Sequence, residues 1–326
     1  MSDFARARWI WKDGEIIPWE AATLHVMSHV VHYGSSVFEG IRCYATPRGP
    51  ALFRLTEHVE RLHYSARVYR IPLAHDAATL ADACAAVVRR NGLAACYIRP
   101  IVLRGLGAAG VNPSASPVET YIIGWPWGAY LGDAALEHGV DACVSSWQRP
   151  APNTIPTGAK AGGNYLSSQL IKLEAAANGF DEGIALGVGG TVSEGSGQNL
   201  FLVRGGELVT PATDGSQLAG ITRDSIIRLA GELGFAVREQ SVPRELLYAA
   251  DEAFFTGTAA EVTPIRSIDR IPVGNGAVGA VTRALQQRLL AIAHGEAPDL
   301  YGWLTSVAAA DAETHAAPPV LRAGAA

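Results

Sequence analysis

The chain has 326 residues, 48% of them hydrophobic and 17% charged, with a formal net charge of -5. That apolar share excludes an intrinsically disordered chain, and the acidic balance excludes the basic footprint of a nucleic-acid binder. No apolar run reaches the length of a membrane span, and the N-terminus lacks the apolar core of a signal peptide. The four cysteines (Cys43, Cys84, Cys96 and Cys143) form no CxxC pair, which suits a reducing cytoplasm rather than a disulfide or zinc framework.

The length predicts two domains. Residues 8–18 read as a hairpin, 37–44 as one strand, and 54–69 as a helix with Thr56 as its N-cap. A second helix over 78–90 ends at Asn91-Gly92, and strands follow at 95–104 and 119–124. A Gly/aromatic stretch then marks the boundary: domain one over 1–128, a linker over 129–139, and domain two over 140–307. The second half opens on a strand at 140–146. A helix over 164–177 follows, with Leu166, Leu170, Leu173 and Ala177 as its apolar stripe. Strands at 183–188 and 198–203 come next, the latter in a hairpin with 207–210, before a helix that starts at Thr222. The Ala/Pro-rich residues 308–326 read as a disordered tail.

Of 26 basic residues only three are lysine: Lys12, Lys160 and Lys172. A chain that uses arginine almost throughout keeps a lysine where it needs an amine, because arginine cannot shed its proton. Lys160 stands in Gly158-Ala-Lys-Ala-Gly-Gly-Asn164 just before a helix. Small neighbours there let a planar group approach, and a deprotonated amine is a nucleophile able to form a Schiff base. Lys172 and Lys12 read as ordinary solvated side chains. Glu194 is a lone carboxylate in a Gly/Ser loop, able to hold a protonated ring nitrogen. Gly220-Ile221-Thr222 opens a helix, where free N–H groups and the dipole favour a phosphate. Thr256-Gly257-Thr258-Ala259-Ala260, a strand end turning through small residues, offers further hydroxyl and N–H donors to an anion. On alternating strand positions, Phe38, Gly40 and Arg42 share one face, as do Tyr97 and Arg99. An aromatic beside an arginine suits a substrate with an apolar end and a carboxylate end.

Two other patterns are declined. Gly105-Leu-Gly-Ala-Ala-Gly110 matches G-x-G-x-x-G, but a Pro/Ser stretch follows where a dinucleotide fingerprint needs a helix. His25, His29 and His32 have no acidic or cysteine neighbour to complete a metal set.

These runs resemble the branched-chain aminotransferases of the pyridoxal 5'-phosphate (PLP) fold-type IV class. The resemblance rests on residues 32–42, Tyr97-Ile-Arg99, Ala159–Tyr165, Glu194, Gly220–Thr222 and Gly257–Ala259, in the family's order over 8–305. It implies a mixed α/β fold with a small N-terminal domain, a larger β-barrel-like C-terminal domain, and a site between them. It implies that Lys160 carries PLP, Tyr165 meets its phenolic oxygen, and Glu194 pairs with its ring nitrogen. Arg61, with Ile221, Thr222 and Thr258, would hold the phosphate. Tyr97 and the Thr258-Ala259 turn would hold the substrate α-carboxylate, and Arg99 the second carboxylate of glutamate. Tyr33, Phe38, Val111, Trp127 and Tyr130 would form the side-chain pocket, with Tyr33 and the Val111 loop coming from a neighbouring subunit. The implied reaction moves the amino group of L-leucine, L-isoleucine or L-valine to 2-oxoglutarate in a cytoplasmic homodimer or hexamer, without metal, membrane or nucleic acid. The rivals within this fold are a D-amino-acid or (R)-amine transaminase and an aminodeoxychorismate lyase.

Overall fold

The computed structural model describes residues 7–307 apart from 108, 129, 130 and 214. The expected tail over 308–326 and Tyr130 therefore lie outside the described residues. The first half contains β1 (Trp9–Lys12), β2 (Glu15–Pro18), α1 (His29–Tyr33), β3 (Ser36–Phe38), β4 (Ile41–Thr46) and β5 (Gly49–Phe53). It continues with α2 (Leu55–Val68), α3 (Ala77–Asn91), β6 (Cys96–Arg104) and β7 (Val118–Trp125). After α4 (Asp133–His138) come β8 (Val140–Val144), α5 (Tyr165–Ala177), β9 (Glu182–Leu186), β10 (Val192–Gly195), β11 (Asn199–Arg204) and β12 (Glu207–Pro211). The chain then runs through α6 (Ile221–Glu232), β13 (Val237–Gln240), β14 (Glu252–Gly257), β15 (Glu261–Ile268), β16 (Ile271–Pro272), α7 (Ala280–Ala293) and β17 (Leu304–Ser306).

Two sheets result. The first is antiparallel, in the order β17-β5-β4-β6-β7-β1-β2, with β3 also paired to β6. The second is mixed, in the order β10-β9-β8-β15-β14-β11-β12-β13, with β16 beside β15. Helices α2 and α3 cover the first sheet through fully buried Leu62, Leu80, Ile98 and Ile122. Helices α6 and α7 cover the second around Phe201 and Phe254, which stack at 5.2 Å. That second core also takes in Tyr44, Phe53 and Trp303, so the two halves share apolar packing. The last strand returns to the first sheet, with Thr305 opposite Leu52. Among the described residues no helix is long and apolar enough to cross a membrane.

Four expectations need correction. The strand expected over 37–44 is two strands broken at Glu39-Gly40, although both pair with β6 in one register (Phe38 opposite Ile101, Ile41 opposite Ile98). The break faces Pro100, which has no N–H to donate; Glu39 N–H donates to its carbonyl at 2.8 Å. Thr56 is not the cap of α2. Arg54 holds that position in the left-handed region (φ 56°) with no side-chain cap bond. Its guanidinium instead reaches α6, donating to Ser225 Oγ (2.8 Å) and Asp224 Oδ2 (2.9 Å). Glu194 lies on strand β10 rather than in a loop. The leucine stripe of α5 faces outward: Leu166, Leu170 and Leu173 are exposed, while Ser168, Ile171 and Ala175 are buried. This face lies very close to β9: a Cβ on Gly183 would fall 2.6 Å from Ile171 Cγ2. Periodicity identifies an apolar stripe but not which of two faces turns inward.

Replacing fully buried Ile171 with alanine leaves a cavity under α5. Ile171→Ala is expected to lower unfolding stability by about 2–5 kcal/mol, read as a lower urea midpoint with an unchanged slope.

Candidate active site

The loop carrying Lys160 leaves the second half of the chain and lies on the first sheet. Phe38 N–H donates to the Lys160 carbonyl (3.0 Å), Val37 bridges Ala161, and Lys160 N–H donates to Ser65 Oγ on α2 (2.9 Å). The small neighbours serve this approach: a Cβ on Gly162 would sit 2.4 Å from Ser36 Oγ. Lys160 Nζ donates to Tyr165 Oη at 2.5 Å and lies 4.9 Å from the Phe38 ring centre. Lys12 pairs with Glu119 and Lys172 with Glu182. Among the described residues Lys160 makes no ion pair.

Lys160 opens into a cavity of about 360 Å³ lined from both halves. One wall holds Glu194, almost fully buried. Its Oε1 meets Arg149 Nη2 at 3.0 Å, and its Oε2 accepts from Asn199 Nδ2 and Leu218 N–H, both at 3.2 Å. Burial pushes the Glu194 carboxyl up, against the pull of Arg149 and the Leu218 amide. Asn199 also donates to the Leu218 carbonyl (2.9 Å), which ties this acid to the turn leading into α6. That turn must be glycine: a Cβ on Gly220 would lie 1.9 Å from Asn199 Oδ1.

At the next end of the cavity, α6 begins at Ile221 and Thr222 with no side chain capping it. Its first N–H groups thus remain as donors. Arg61 projects there from α2 and donates Nη1 to the Ala219 carbonyl at 2.8 Å. Glu39, wholly buried, holds the same guanidinium through Nε (2.6 Å) and Nη2 (2.9 Å), and also accepts from His58 Nδ1 (2.7 Å). Burial alone would raise the Glu39 carboxyl, but Arg61 and His58 outweigh it and hold it well below the usual carboxylate range. Burial lowers His58. Because ionised Glu39 only accepts, Nδ1 of His58 carries the bonded proton.

On the opposite side, the β14–β15 hairpin turns through Thr258, Ala259 and Ala260, which line the cavity with Gly257. Glu261 closes the turn in the left-handed region (φ 53°). Arg42 lies behind it and donates to the Thr258 (3.2 Å) and Ala259 (3.0 Å) carbonyls. Trans peptides point N–H and C=O to opposite sides, so the Ala259 and Ala260 N–H groups face away from Arg42, toward the cavity. The remaining wall is aromatic. Tyr97 packs in one cluster with Trp125 and Trp127, its ring centre 5.2 and 4.8 Å from theirs and theirs 5.9 Å from each other. Arg99 lies over the Phe38 ring at 4.7 Å, and its buried Nε has no hydrogen-bond partner among the described residues.

The cavity thus gathers Phe38, Gly40, Arg61, Tyr97, Arg99 and Trp127 with Lys160, Tyr165, Glu194 and both glycine-led turns. Arg42 is not on this lining, nor are Tyr33 and Val111, which are expected from a neighbouring subunit. Arg42 does not face substrate, because its guanidinium is filled by backbone carbonyls, including those of Trp127 (3.4 Å) and Gly128 (3.2 Å). Tyr33 and Val111 stand exposed, away from this chain's own cavity.

The sequence pattern of the family described as Amino-transferase class IV matches residues 36–268. This chain belongs to the class IV aminotransferase family. It is 55% identical over 303 residues to the branched-chain-amino-acid aminotransferase of Escherichia coli K12, covering 93% of this chain and 98% of that one. A crystal structure of the Escherichia coli enzyme superposes with a TM-score of 0.91 at 55% identity, over 93% of this chain and 100% of that one. The T.th. branched-chain amino acid aminotransferase complexed with N-(5'-phosphopyridoxyl)-L-glutamate superposes with a TM-score of 0.88 at 46% identity, over 93% and 99%.

The cavity of this class IV aminotransferase fits an elongated phosphorylated pyridine. Besides the uncapped helix start, Thr256 Oγ1 is wholly buried on the cavity lining with no partner among the described residues. Thr256 belongs to the 256–260 stretch that the sequence marks as an anion donor, whereas sequence reasoning missed the roles of Glu39, His58, Arg149 and Asn199. Glu39 carried one signal: alternation puts it on the face opposite Phe38 and Gly40, where an acid between apolar residues needs a buried cation. Arg149 carried none, because it lies in an irregular Pro-rich segment. The three histidines act singly. For example, His29 Nδ1 meets Ser35 Oγ at 2.7 Å, and no metal-holding group occurs among the described residues.

A Cβ on Gly40 would lie 1.7 Å from Tyr97 Oη, and the clustered tryptophans leave that ring little room. Gly40→Ala is expected to lower kcat/KM for amino transfer about tenfold or more, an effect of about 1.4 kcal/mol, with cofactor absorbance retained.

Proposed function

We infer that the chain catalyses PLP-dependent transamination of L-leucine, L-isoleucine and L-valine with 2-oxoglutarate, giving the branched-chain 2-oxo acids and L-glutamate. The observation that carries this reading is the cavity itself. An ion-pair-free lysine, a buried acid and an uncapped helix start surround one space with an aromatic wall and an arginine. The named relatives and the glutamate adduct of the T.th. enzyme support both the cofactor and the second substrate.

When bound, PLP supplies an electrophilic carbonyl carbon and a ring that draws electrons away from the substrate α-carbon. The protein supplies the rest. Lys160 Nζ would hold the cofactor and, as a free amine, would move the proton from the substrate α-carbon to the cofactor's C4′ carbon. Tyr165 Oη orients that amine and meets the cofactor's phenolic oxygen. Glu194 holds the ring nitrogen as an anion, while Arg149 and Asn199 fix its two oxygens. Arg61, the Ile221 and Thr222 amides, and Thr258 bind the phosphate. The turn amides of Ala259 and Ala260, with Tyr97, hold the α-carboxylate. Phe38 and Trp127 bury an aliphatic side chain, which stabilises it by about 1.5–3 kcal/mol. Arg99 pairs with a second carboxylate only when glutamate or 2-oxoglutarate brings one.

A homodimer is proposed as the smallest active unit and a hexamer as a larger form. Val26, Met27, Val31, Tyr33, Leu106 and Val111, and separately the leucines of α5, present apolar surface outward, as a chain that buries them against another copy would. Division into domains over 1–128 and 140–307 with a linker at 129–139 is supported by the two sheets, except that β17 returns to the first sheet, and a cytoplasmic setting by the four buried free cysteines.

Lys160→Ala is expected to lose the visible absorbance band and both half-reactions; retained turnover would overturn the assignment. A half-reaction panel followed by cofactor absorbance should show reaction with L-leucine, L-isoleucine, L-valine and L-glutamate. It should show none with D-leucine or (R)-1-phenylethylamine. Pyruvate release from aminodeoxychorismate without a keto-acid acceptor would favour a lyase instead.

A further inference from the structure

Glu39 has no role in the scheme above, yet it is wholly buried and fully engaged. Its two oxygens accept from Arg61 Nε (2.6 Å), Arg61 Nη2 (2.9 Å), His58 Nδ1 (2.7 Å) and the Gly40 amide (3.1 Å). Three of these donors fall on Oε2 and one on Oε1, and Glu39 is not on the cavity lining, so it does not meet substrate. Arg61 has five N–H donors. Glu39 takes two and the Ala219 carbonyl a third, leaving one on each terminal nitrogen. Arg61 comes from α2 on the first sheet, and Ala219 belongs to the turn that opens α6. The guanidinium thus spans the two halves, with two donors left beside an uncapped helix start.

We infer that Glu39, seated by His58, is a positioning residue that aims the two remaining Arg61 donors at the cofactor's phosphate. The inference rests on the reading of Arg61 as a phosphate ligand. The bland alternative is that Glu39 only neutralises a buried arginine between two packed halves. Simple charge masking predicts the opposite sign for removal: with Glu39 neutral, Arg61 would attract a phosphate more strongly. Positioning predicts a loss instead. A long arginine side chain without its bidentate partner gives up a fixed orientation. Glutamine in place of Glu39 would also turn an amide N–H toward an arginine N–H.

The test compares two ligands that differ only in the phosphate. Full-length protein stripped of cofactor is titrated with PLP and with pyridoxal, for the wild type, Glu39→Gln, Glu39→Asp, Arg61→Gln and the Glu39→Gln/Arg61→Gln double variant. Glu39→Gln is expected to raise the PLP Kd about tenfold or more, and to leave the pyridoxal Kd within about twofold. It should add nothing in the Arg61→Gln background. Glu39→Asp keeps the charge and should restore part of the PLP preference. It also decides the matter if Glu39→Gln does not fold: a loss confined to PLP supports positioning. Equal losses for both ligands, losses that add to those of Arg61→Gln, or tighter PLP binding would each overturn the inference. An Arg61→Gln variant with an unchanged PLP-to-pyridoxal ratio would instead overturn the phosphate reading on which it rests.

Discussion

The hydrogen bond from Phe38 N–H to the Lys160 carbonyl joins two parts of the chain more than a hundred residues apart, and the rest of the site is arranged around that join. With the Val37–Ala161 bridge and the Lys160 amide on Ser65, it makes the lysine loop an extra edge of the first sheet. Lys160 belongs to the second half by sequence, and its amine meets Tyr165 there, but its backbone is hydrogen-bonded to the first half. Tyr69 Oη donating to Asn164 Oδ1 at 2.8 Å extends the same seam to the start of α5. The approach is tightest at Gly162, where a Cβ would sit 2.4 Å from Ser36 Oγ. At that position the small residue is therefore a packing requirement of the join as well as an opening for a flat ligand.

Across this seam the buried charges are placed in opposed pairs. On the first-half side, Glu39 is fully ionised and bound to Arg61. On the second-half side, Glu194 is bound to Arg149 but remains pushed up by burial. Breaking a buried pair by removing one partner costs about 3–5 kcal/mol, so both pairs resist rearrangement. Their difference matters for function. An acid already satisfied by four donors is a fixed strut, whereas an acid still penalised by burial gains from a further cation brought to it. Asn199 connects Glu194 to the turn that starts α6, so one side chain ties two ends of the cavity together.

Local signals in the sequence located most of this. The scarcity of lysine singled out Lys160, and a glycine before a helix start singled out Gly220, Ile221 and Thr222, which line the same cavity. Hairpins, helix ends and most strand spans followed from turn residues and periodicity. What stayed hidden depended on contacts between distant segments. Arg42 reads as a substrate-facing residue because alternation puts it in line with Phe38 and Gly40. Only the fold shows that the carbonyls of the 258–259 turn reach it first. The break at Glu39-Gly40 is set by Pro100 on the partner strand, which no pattern within residues 37–44 records. The stripe of α5 has the right period and the wrong face, because which side of the helix meets the sheet is a tertiary matter.

The account stands on which lysine carries the cofactor, and three lysines make that directly measurable. Protein loaded with PLP, reduced with borohydride and digested can be mapped by mass spectrometry for the phosphopyridoxyl group. The modification is predicted on Lys160 alone, in the peptide that contains Tyr165. A modification on Lys12 or Lys172, or none at all, would contradict the account.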